Sequence, residues 1–151
     1  MLYLATGYGL LHGVDAADGS EQFAYLPQAL LARAALASGT GDDAPPLLDG
    51  AAASAEVLVA GRWKTVLASS MGAGAQGLFA LDVTDPLRFA QQGALWEFTD
   101  LDDGLMGNLR APPSVARLNL GGKDGARAYR DFAVVGSGYN NTQPDGKTRS
   151  A

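Results

Sequence analysis

A strand-and-turn unit occurs twice in this chain, and the duplication limits the fold more than any other feature. One copy, GLLHGVDAADG, spans residues 9–19, and the other, GLFALDVTDP, spans residues 77–86. Each copy follows an apolar run that ends in glycines, and each precedes a further strand with aromatic residues, at 22–25 and 95–98. Such duplication predicts a repeat architecture in which neighbouring units cover each other's apolar faces.

The turns of the two copies carry aspartates at matching positions. Asp15, Asp18 and Gly19 lie in the first turn, and Asp82 and Asp85 lie in the second. Aspartate accepts hydrogen bonds from backbone amides two residues further on, and glycine adopts the positive φ that many turns need. We therefore expect these residues to build turns rather than to act as a catalytic acid and base.

The repeat spacing predicts a particular all-β fold with one insertion. The chain has 151 residues and 20 glycines, which indicates many tight turns and short strands. The distance from Asp15 to Asp82 exceeds the roughly 40–50 residues of a propeller blade. Residues 27–50 account for the excess, because Pro27 introduces a helix at about 28–38 and a loop follows it.

A third unit begins at residues 132–138 and is not completed. Because a propeller closes with about four to eight blades, the sequence predicts a partial β-propeller of about two blades. We expect residues 1–151 to be a fragment of a single propeller domain, with the helical insertion at about 28–38 and a polar tail at 140–151. Because its edges are open, we also expect the isolated chain to be aggregation-prone, domain-swapped or only partly ordered.

Aromatic residues in the predicted strands are the candidate core anchors. They are Phe23, Trp63, Phe79, Trp96 and Phe98. Trp63 falls in a hairpin whose strands, 56–59 and 62–68, meet at Ala60 and Gly61.

Several motifs suggest chemistry but lack the context that the chemistry requires. Gly72–Gly77 spells GxGxxG, yet a strand follows it where a dinucleotide site needs a helix. Residues 68–72 approach a nucleophile elbow, but the sole histidine, His12, precedes the serine. Asp100–Gly104 has three carboxylates without the spacing of a calcium loop, which favours a solvated turn. His12 itself is expected to form a structural hydrogen bond.

Composition argues against several kinds of partner, covalent link and membrane segment. The net charge of −5 and the scattered Lys and Arg argue against nucleic acid. The lack of cysteine excludes disulfides and thiolate metal sites. No apolar run approaches the roughly 18 residues of a membrane helix, and Met1 leads into a strand rather than into a signal peptide.

Five phrases, in this order, resemble one known family. They are GLLHGVDAADGSEQFAYLPQALL, WKTVLASSMGAGAQGLFALDVTDP, LWEFTD, PPSVARLN and FAVVGSGYNN. The chain resembles the C-terminal β-propeller domain of the type IV pilus tip-associated adhesin and assembly protein (the PilY/PilC type). The match covers nearly the whole chain and includes the helix inserted after Tyr25-Leu26-Pro27.

The resemblance implies a modified seven-bladed, quinoprotein-like propeller at the pilus tip, in the periplasm or on the outer surface of a bacterium. It implies a non-enzymatic role in pilus assembly, control of retraction, twitching motility and adhesion. The implied partners are other pilus components such as minor pilins, or a host or abiotic surface. The family's calcium loop of D-x-D-x-D-G character would follow further along, so this segment carries no assigned calcium ligand, and the Arg-Gly-Asp tripeptide of some members is absent.

One alternative is enzymatic. HGVDAADGSEQF is similar to repeats of quinoprotein dehydrogenases, which hold pyrroloquinoline quinone in the propeller channel. Those repeats carry a docking tryptophan in each unit, whereas Trp63 and Trp96 stand at non-equivalent places. A scaffold propeller of outer-membrane assembly is a third candidate.

Overall fold

The computed structural model describes residues 1–37, 46–122 and 127–142, which form mostly β-strands with two short helices. The elements in chain order are β1 (Leu2–Ala5), β2 (Leu11–Val14), β3 (Glu21–Tyr25), a 3₁₀ turn (Gln28–Leu30) continued by α1 (Leu31–Ala37), β4 (Ala52–Val59), β5 (Arg62–Ser70), β6 (Gly77–Asp82), a 3₁₀ turn (Pro86–Arg88) continued by α2 (Phe89–Gln92), β7 (Ala94–Thr99), β8 (Ser114–Asn119) and β9 (Tyr129–Val134).

The described strands form three antiparallel sheets in which chain neighbours pair. Sheet A has the order β1-β2-β3, sheet B has β4-β5-β6-β7, and sheet C has β8-β9. The β4–β5 hairpin turns at the predicted dipeptide, where Ala60 (φ 49°) and Gly61 (φ 77°) both have positive φ. Two positive φ angles are what a type I′ hairpin turn requires. The all-β class expected from the repeat is therefore confirmed.

Sheet B lies between the other two sheets, and its strand β6 is buried along its whole length. Since successive side chains of a strand point to opposite faces, β6 contributes to both interfaces. Phe79 and Leu81 join the cluster that includes Leu11 and Phe23 of sheet A. Ala80 packs on the other face, against the side of sheet C.

A pair of stacked aromatic rings holds sheet A against the segment that follows β6. The ring centroids of Phe23 and Phe89 are 3.7 Å apart, and the rings are within 7° of parallel. Each ring lies against a glycine. A Cβ on Gly13 would stand 2.3 Å from the Phe23 ring, and one on Gly93 would stand 2.2 Å from the Phe89 ring. The stack therefore requires both glycines as well as both rings.

The structure differs from the sequence-based expectation at three of the five core anchors. Phe23 and Phe79 are buried, but Trp63 is 61% exposed, Trp96 43% and Phe98 37%. Trp63 stands beside the β4–β5 turn, where its ring meets the Arg117 guanidinium of β8 at 5.7 Å and most of its surface stays exposed to solvent.

Trp96 and Phe98 lie on the same face of β7, because they are two residues apart. β7 is an edge strand, and the two described strands of sheet C cover this face only in part. These two side chains consequently line an open groove instead of a closed core.

The helices also differ from the expectation. The predicted helix 28–38 begins as a 3₁₀ turn and continues as α1 to Ala37, and Ser38 lies outside the described residues. A second helix, α2, follows the Asp82 turn and supplies the buried Phe89. Most of the predicted polar tail lies outside the described residues. Within residues 1–37, 46–122 and 127–142, the helices are too short or too polar to cross a lipid bilayer.

Candidate functional site at the glycine end of the sheets

Antiparallel pairing sends the connections of the strands to two opposite ends of the sheets. We call one the aspartate end, formed by the turns at 15–20, 60–61 and 82–86. We call the other the glycine end, formed by the loops at 6–10, 71–76, 100–113 and 135–142. The first end carries the Asp turns and the α2 segment, which lines a cavity of about 480 Å³, and the second end consists of longer loops around a more polar cavity.

At the aspartate end, the first repeat has the turn geometry expected of its residues. Asp15 Oδ1 accepts a hydrogen bond from the Ala17 amide at 2.8 Å, and Asp18 Oδ1 accepts one from the Ser20 amide at 2.9 Å. Gly19 has a φ of 79°. The bonds from Ser20 hold the pKa of Asp18 below its ordinary value. These groups are engaged in the turn.

In the second repeat Asp82 uses its side chain in this way, whereas Asp85 makes no side-chain hydrogen bond within the described part of the chain. Asp82 Oδ1 accepts bonds from the Thr84 amide (3.1 Å) and hydroxyl (2.6 Å), and Asp82 Oδ2 lies 2.5 Å from Lys64 Nζ. Burial raises the pKa of Asp82, but the bonds from Lys64 and Thr84 outweigh it and leave the pKa below its ordinary value. Asp85 instead accepts the Arg88 amide through its backbone carbonyl, at 3.1 Å. Asp85 and Asp18 are therefore not equivalent, because the chain after Asp85 coils into a 3₁₀ turn.

Among the described residues, His12 forms a side-chain contact from β2 to β3. Its Nδ1 lies 2.5 Å from Glu21 Oε2. The residue type and its place in a strand predict a structural hydrogen bond, and the contact has that character.

At the glycine end, the loop between β5 and β6 lines a polar cavity of about 480 Å³ that opens widely to solvent. The polar residues that line it are Arg33, Gln76, Asp100, Asn108 and Asn140. Ala29 and the small residues 73–75 complete the wall. The GxGxxG segment is thus a loop between two strands, and β6 begins where a dinucleotide site would need a helix.

Asn108 organises one wall of this cavity. It is only 6% exposed, its Nδ2 donates to the Gly72 carbonyl at 2.8 Å, and its Oδ1 accepts from Asn140 Nδ2 at 2.9 Å. Gln76 Nε2 donates to the Asn140 carbonyl at 2.6 Å. These bonds hold Asn140 at a φ of 60°, which is uncommon outside glycine. The wall is consequently a fixed set of amides.

The opposite wall is fixed by α1 and by the chain that precedes β4. Arg33 Nη1 donates to the Gly74 carbonyl, and Asp49 Oδ1 accepts the Ala73 amide at 2.7 Å. A Cβ on Gly74 would stand 1.6 Å from the Leu47 carbonyl oxygen. Only glycine fits at this position, so the loop lies directly on the backbone of the preceding segment.

The acidic segment 100–104 forms a turn at the cavity rim. Asp102 Oδ2 accepts the Thr99 amide at 2.8 Å, and Asp103 Oδ1 accepts the Leu105 amide at 2.9 Å. Among the described residues, the Asp100 carboxylate has no hydrogen-bond partner, and Arg33 and Asp100 do not form an ion pair. Within residues 1–37, 46–122 and 127–142, no three His, Cys, Asp or Glu side chains are grouped as a metal site would require.

Glu97 has a connecting role that the sequence alone does not predict. Its carboxylate accepts bonds from the Tyr25 hydroxyl (2.6 Å) and from the amides of Gln28 (2.6 Å) and Ala29 (3.1 Å). Burial, together with the bond to Glu97 and its charge, raises the pKa of Tyr25. Glu97 thereby ties sheet B to the start of the inserted helix. No local pattern signals this, because about 70 residues separate the partners.

The fold and the loop cluster define a segment of a repeat domain that is built from antiparallel sheets stacked face to face. No protein-family model matches the chain. Curated relatives do match it: the type IV pilus biogenesis factor PilY1 of Pseudomonas aeruginosa strain PAO1 is 35% identical over 142 residues, which is 92% of this chain. A PilY1 homologue of Xylella fastidiosa is 31% identical over 141 residues, which is 93% of this chain.

A solved structure agrees with these matches. The crystal structure of the Pseudomonas aeruginosa PilY1 C-terminal domain superposes with a TM-score of 0.61 at 38% identity, covering 78% of this chain and 22% of that one. The chain belongs to the PilY1 family and corresponds to a segment of the PilY1 C-terminal domain. It spans 11% of the length of the Pseudomonas aeruginosa relative and 9% of the length of the Xylella fastidiosa relative. The resemblance seen in the sequence is confirmed.

Proposed function

We propose that this chain is a segment of a β-propeller domain that serves type IV pilus biogenesis as a non-enzymatic module. The observation that carries the proposal is the match of more than nine-tenths of the chain to PilY1 proteins that are named as pilus biogenesis factors. The partners we propose are other pilus components, such as minor pilins, or a host or abiotic surface. The location we propose is the periplasm or outer surface, at the pilus tip.

The repeat register of the strands supports a propeller. In sheet B the glycine-rich loop joins the second and third strands, β5 and β6. In sheet A the corresponding loop joins β1 and β2, so β1–β3 match the last three strands of sheet B. Likewise β8 and β9 match β4 and β5. Equivalent strands in consecutive sheets that pack face to face are the arrangement of propeller blades.

The division of the molecule into two loop-bearing ends supports a role in binding. A rigid stack of sheets presents loops on common faces, where contacts to other proteins can vary without a change of scaffold. Adhesion and twitching motility are proposed as consequences of pili that carry this module. Any calcium requirement is proposed for residues beyond this segment.

The test is a segment exchange. In a Pseudomonas aeruginosa strain that lacks PilY1, a PilY1 whose aligned segment is replaced by this chain should restore pili in the sheared surface fraction. Twitching zones and attachment to a plastic surface are scored in parallel. A chimera that is exported and protease-resistant but displays no pili would contradict the proposal.

A matched pair of glycine variants serves as the control. Gly74→Ala places a Cβ against the Leu47 backbone and should abolish assembly by disrupting the loop. Gly136→Ala meets no atom within 4 Å and has no positive φ, so it should leave piliation unchanged. If Gly74→Ala restored pili as fully as Gly136→Ala, the fold of this segment would be irrelevant to assembly.

A further inference from the structure

The polar cavity at the glycine end has unused hydrogen-bonding groups around a fixed wall. We propose that it is a binding site for a neutral, hydroxyl-rich ligand, that is, a mono- or disaccharide unit. The volume of about 480 Å³ lies within the roughly 300–1,000 Å³ of small-molecule sites. The site is separate from the pilus role proposed above and does not depend on it.

The charges that line the cavity select against ions. Arg33 and Asp100 contribute one positive and one negative group, and they do not pair with each other. A lone guanidinium beside a carboxylate is a poor site for an anion. A single carboxylate falls far short of the six to eight oxygens that calcium takes. The lining therefore favours a ligand without net charge.

The free groups match hydroxyls, which both donate and accept. Arg33 has five N–H donors, of which one is seen bound to the Gly74 carbonyl. Gln76 donates through Nε2 to the Asn140 carbonyl, which leaves its Oε1 as an acceptor. The Asp100 carboxylate is a free acceptor, because it has no hydrogen-bond or ion-pair partner among the described residues. Donors and acceptors of this mixture bind vicinal hydroxyls of a sugar ring.

The wall is already organised before a ligand arrives. Asn108 is nine-tenths buried with both ends of its amide bonded, and Asn140 is held at an unusual positive φ. Strained residues that are fixed in this way concentrate at binding sites. The alanines at 29, 73 and 75 offer small apolar patches on which the C–H face of a sugar can rest.

The test is a titration of the whole chain, isotope-labelled, with three neutral probes: methyl α-mannoside, methyl β-glucoside and methyl β-galactoside. We expect at least one probe to give saturable shifts in the backbone amides of Gly74, Gln76 and Asn140, with a Kd of about 1–10 mM. Asp100→Asn, which removes a charge without a structural bond, should weaken that binding about tenfold. Asp85→Asn makes the same change at the aspartate end and should leave the Kd unchanged.

Two results would overturn the proposal. One is the absence of saturable shifts with all three sugars while the amide spectrum remains dispersed. The other is that sodium sulfate shifts the same amides and the sugars do not, which would make the cavity an anion site. Arg33→Gln distinguishes them further, because it should weaken sugar binding moderately but abolish any sulfate response.

Discussion

At the scale of single residues, Glu97 connects two parts of the chain that are distant in sequence. Glu97→Ala removes the acceptor of three hydrogen bonds and leaves the half-buried Tyr25 hydroxyl unpaired. We expect the free energy of unfolding to fall by about 2 kcal/mol, measured by urea denaturation. Glu56→Ala, which removes an exposed acceptor for the Thr65 hydroxyl, should cost less than about 1 kcal/mol. If both variants lost the same free energy of unfolding, the Glu97 bonds would contribute no more to stability than an exposed hydrogen bond.

The pair formed by the buried Asp82 and the partly exposed Lys64 makes the stability of the chain depend on pH in the acid range. The pKa of Asp82 is lower in the folded chain than its ordinary value of 3.8. The stabilising contribution of its charge is therefore present above pH 3.8 and is lost as the pH falls through the lower, folded pKa. We expect Asp82→Asn to be less stable than the parent at pH 7, and the difference to shrink below pH 4. Urea midpoints measured from about pH 7 to pH 2.5 check this, and a difference that stays constant with pH would contradict it.

At the scale of elements, the strands could be predicted and the short helix α2 could not. Runs such as GLFALD are apolar, end in turn residues and fall at repeat positions, so three independent signals agree on β6. α2 has four residues, which is too short to show helical periodicity. Its Phe89 becomes a core residue because Phe23 and Tyr25 of another sheet pack on it. A contact of this kind leaves no trace in the local sequence.

The aromatic stack between these elements makes a testable contribution to stability. Phe89→Ala removes one of two parallel rings and leaves a cavity against Phe23, so we expect a loss of about 3 kcal/mol. Leu87→Ala lies two residues away and is 82% exposed, and it should change stability by less than about 0.5 kcal/mol. Thermal unfolding followed by circular dichroism measures both variants. A Phe89→Ala chain that melts like the parent would show that sheet A does not depend on the stack.

At the scale of the whole molecule, the sequence indicates the class of fold but not which faces are covered. Trp63, Trp96 and Phe98 each have a charged neighbour in the chain, whereas Phe79 stands in the apolar run GLFALD. Alternation of aromatic and charged residues is also what a strand with one buried face shows, so it does not reveal that these rings are left uncovered. Burial depends on how the sheets stack, which is set by contacts between distant segments. The candidate cavity follows the same rule. Its glycine loop is visible in the sequence, but Arg33, Asn108 and Asn140 reach it from three other parts of the chain.

The partly covered face of β7 should make the isolated chain associate with itself. Trp96 and Phe98 line an open, mainly apolar groove of about 410 Å³ that continues to Phe132 and Val135 of the next segment. The described neighbours on this side are the two-stranded sheet C and the loop at 100–113, whose Met106 lines the groove. Exposed strands with apolar faces pair with other chains unless charge or cover prevents it. The groove is thus the surface on which we expect a second copy to pack.

Sedimentation velocity at increasing protein concentration measures this association. We expect the parent chain to shift from monomer towards larger species, and Trp96→Lys to keep it monomeric, because a charge in the groove opposes burial. Leu101→Lys adds the same charge at a side chain that is 93% exposed and does not line the groove, so it should associate like the parent. A parent chain that stays monomeric over the whole concentration range would contradict the prediction. If Leu101→Lys and Trp96→Lys suppressed association equally, net charge rather than the groove would control it.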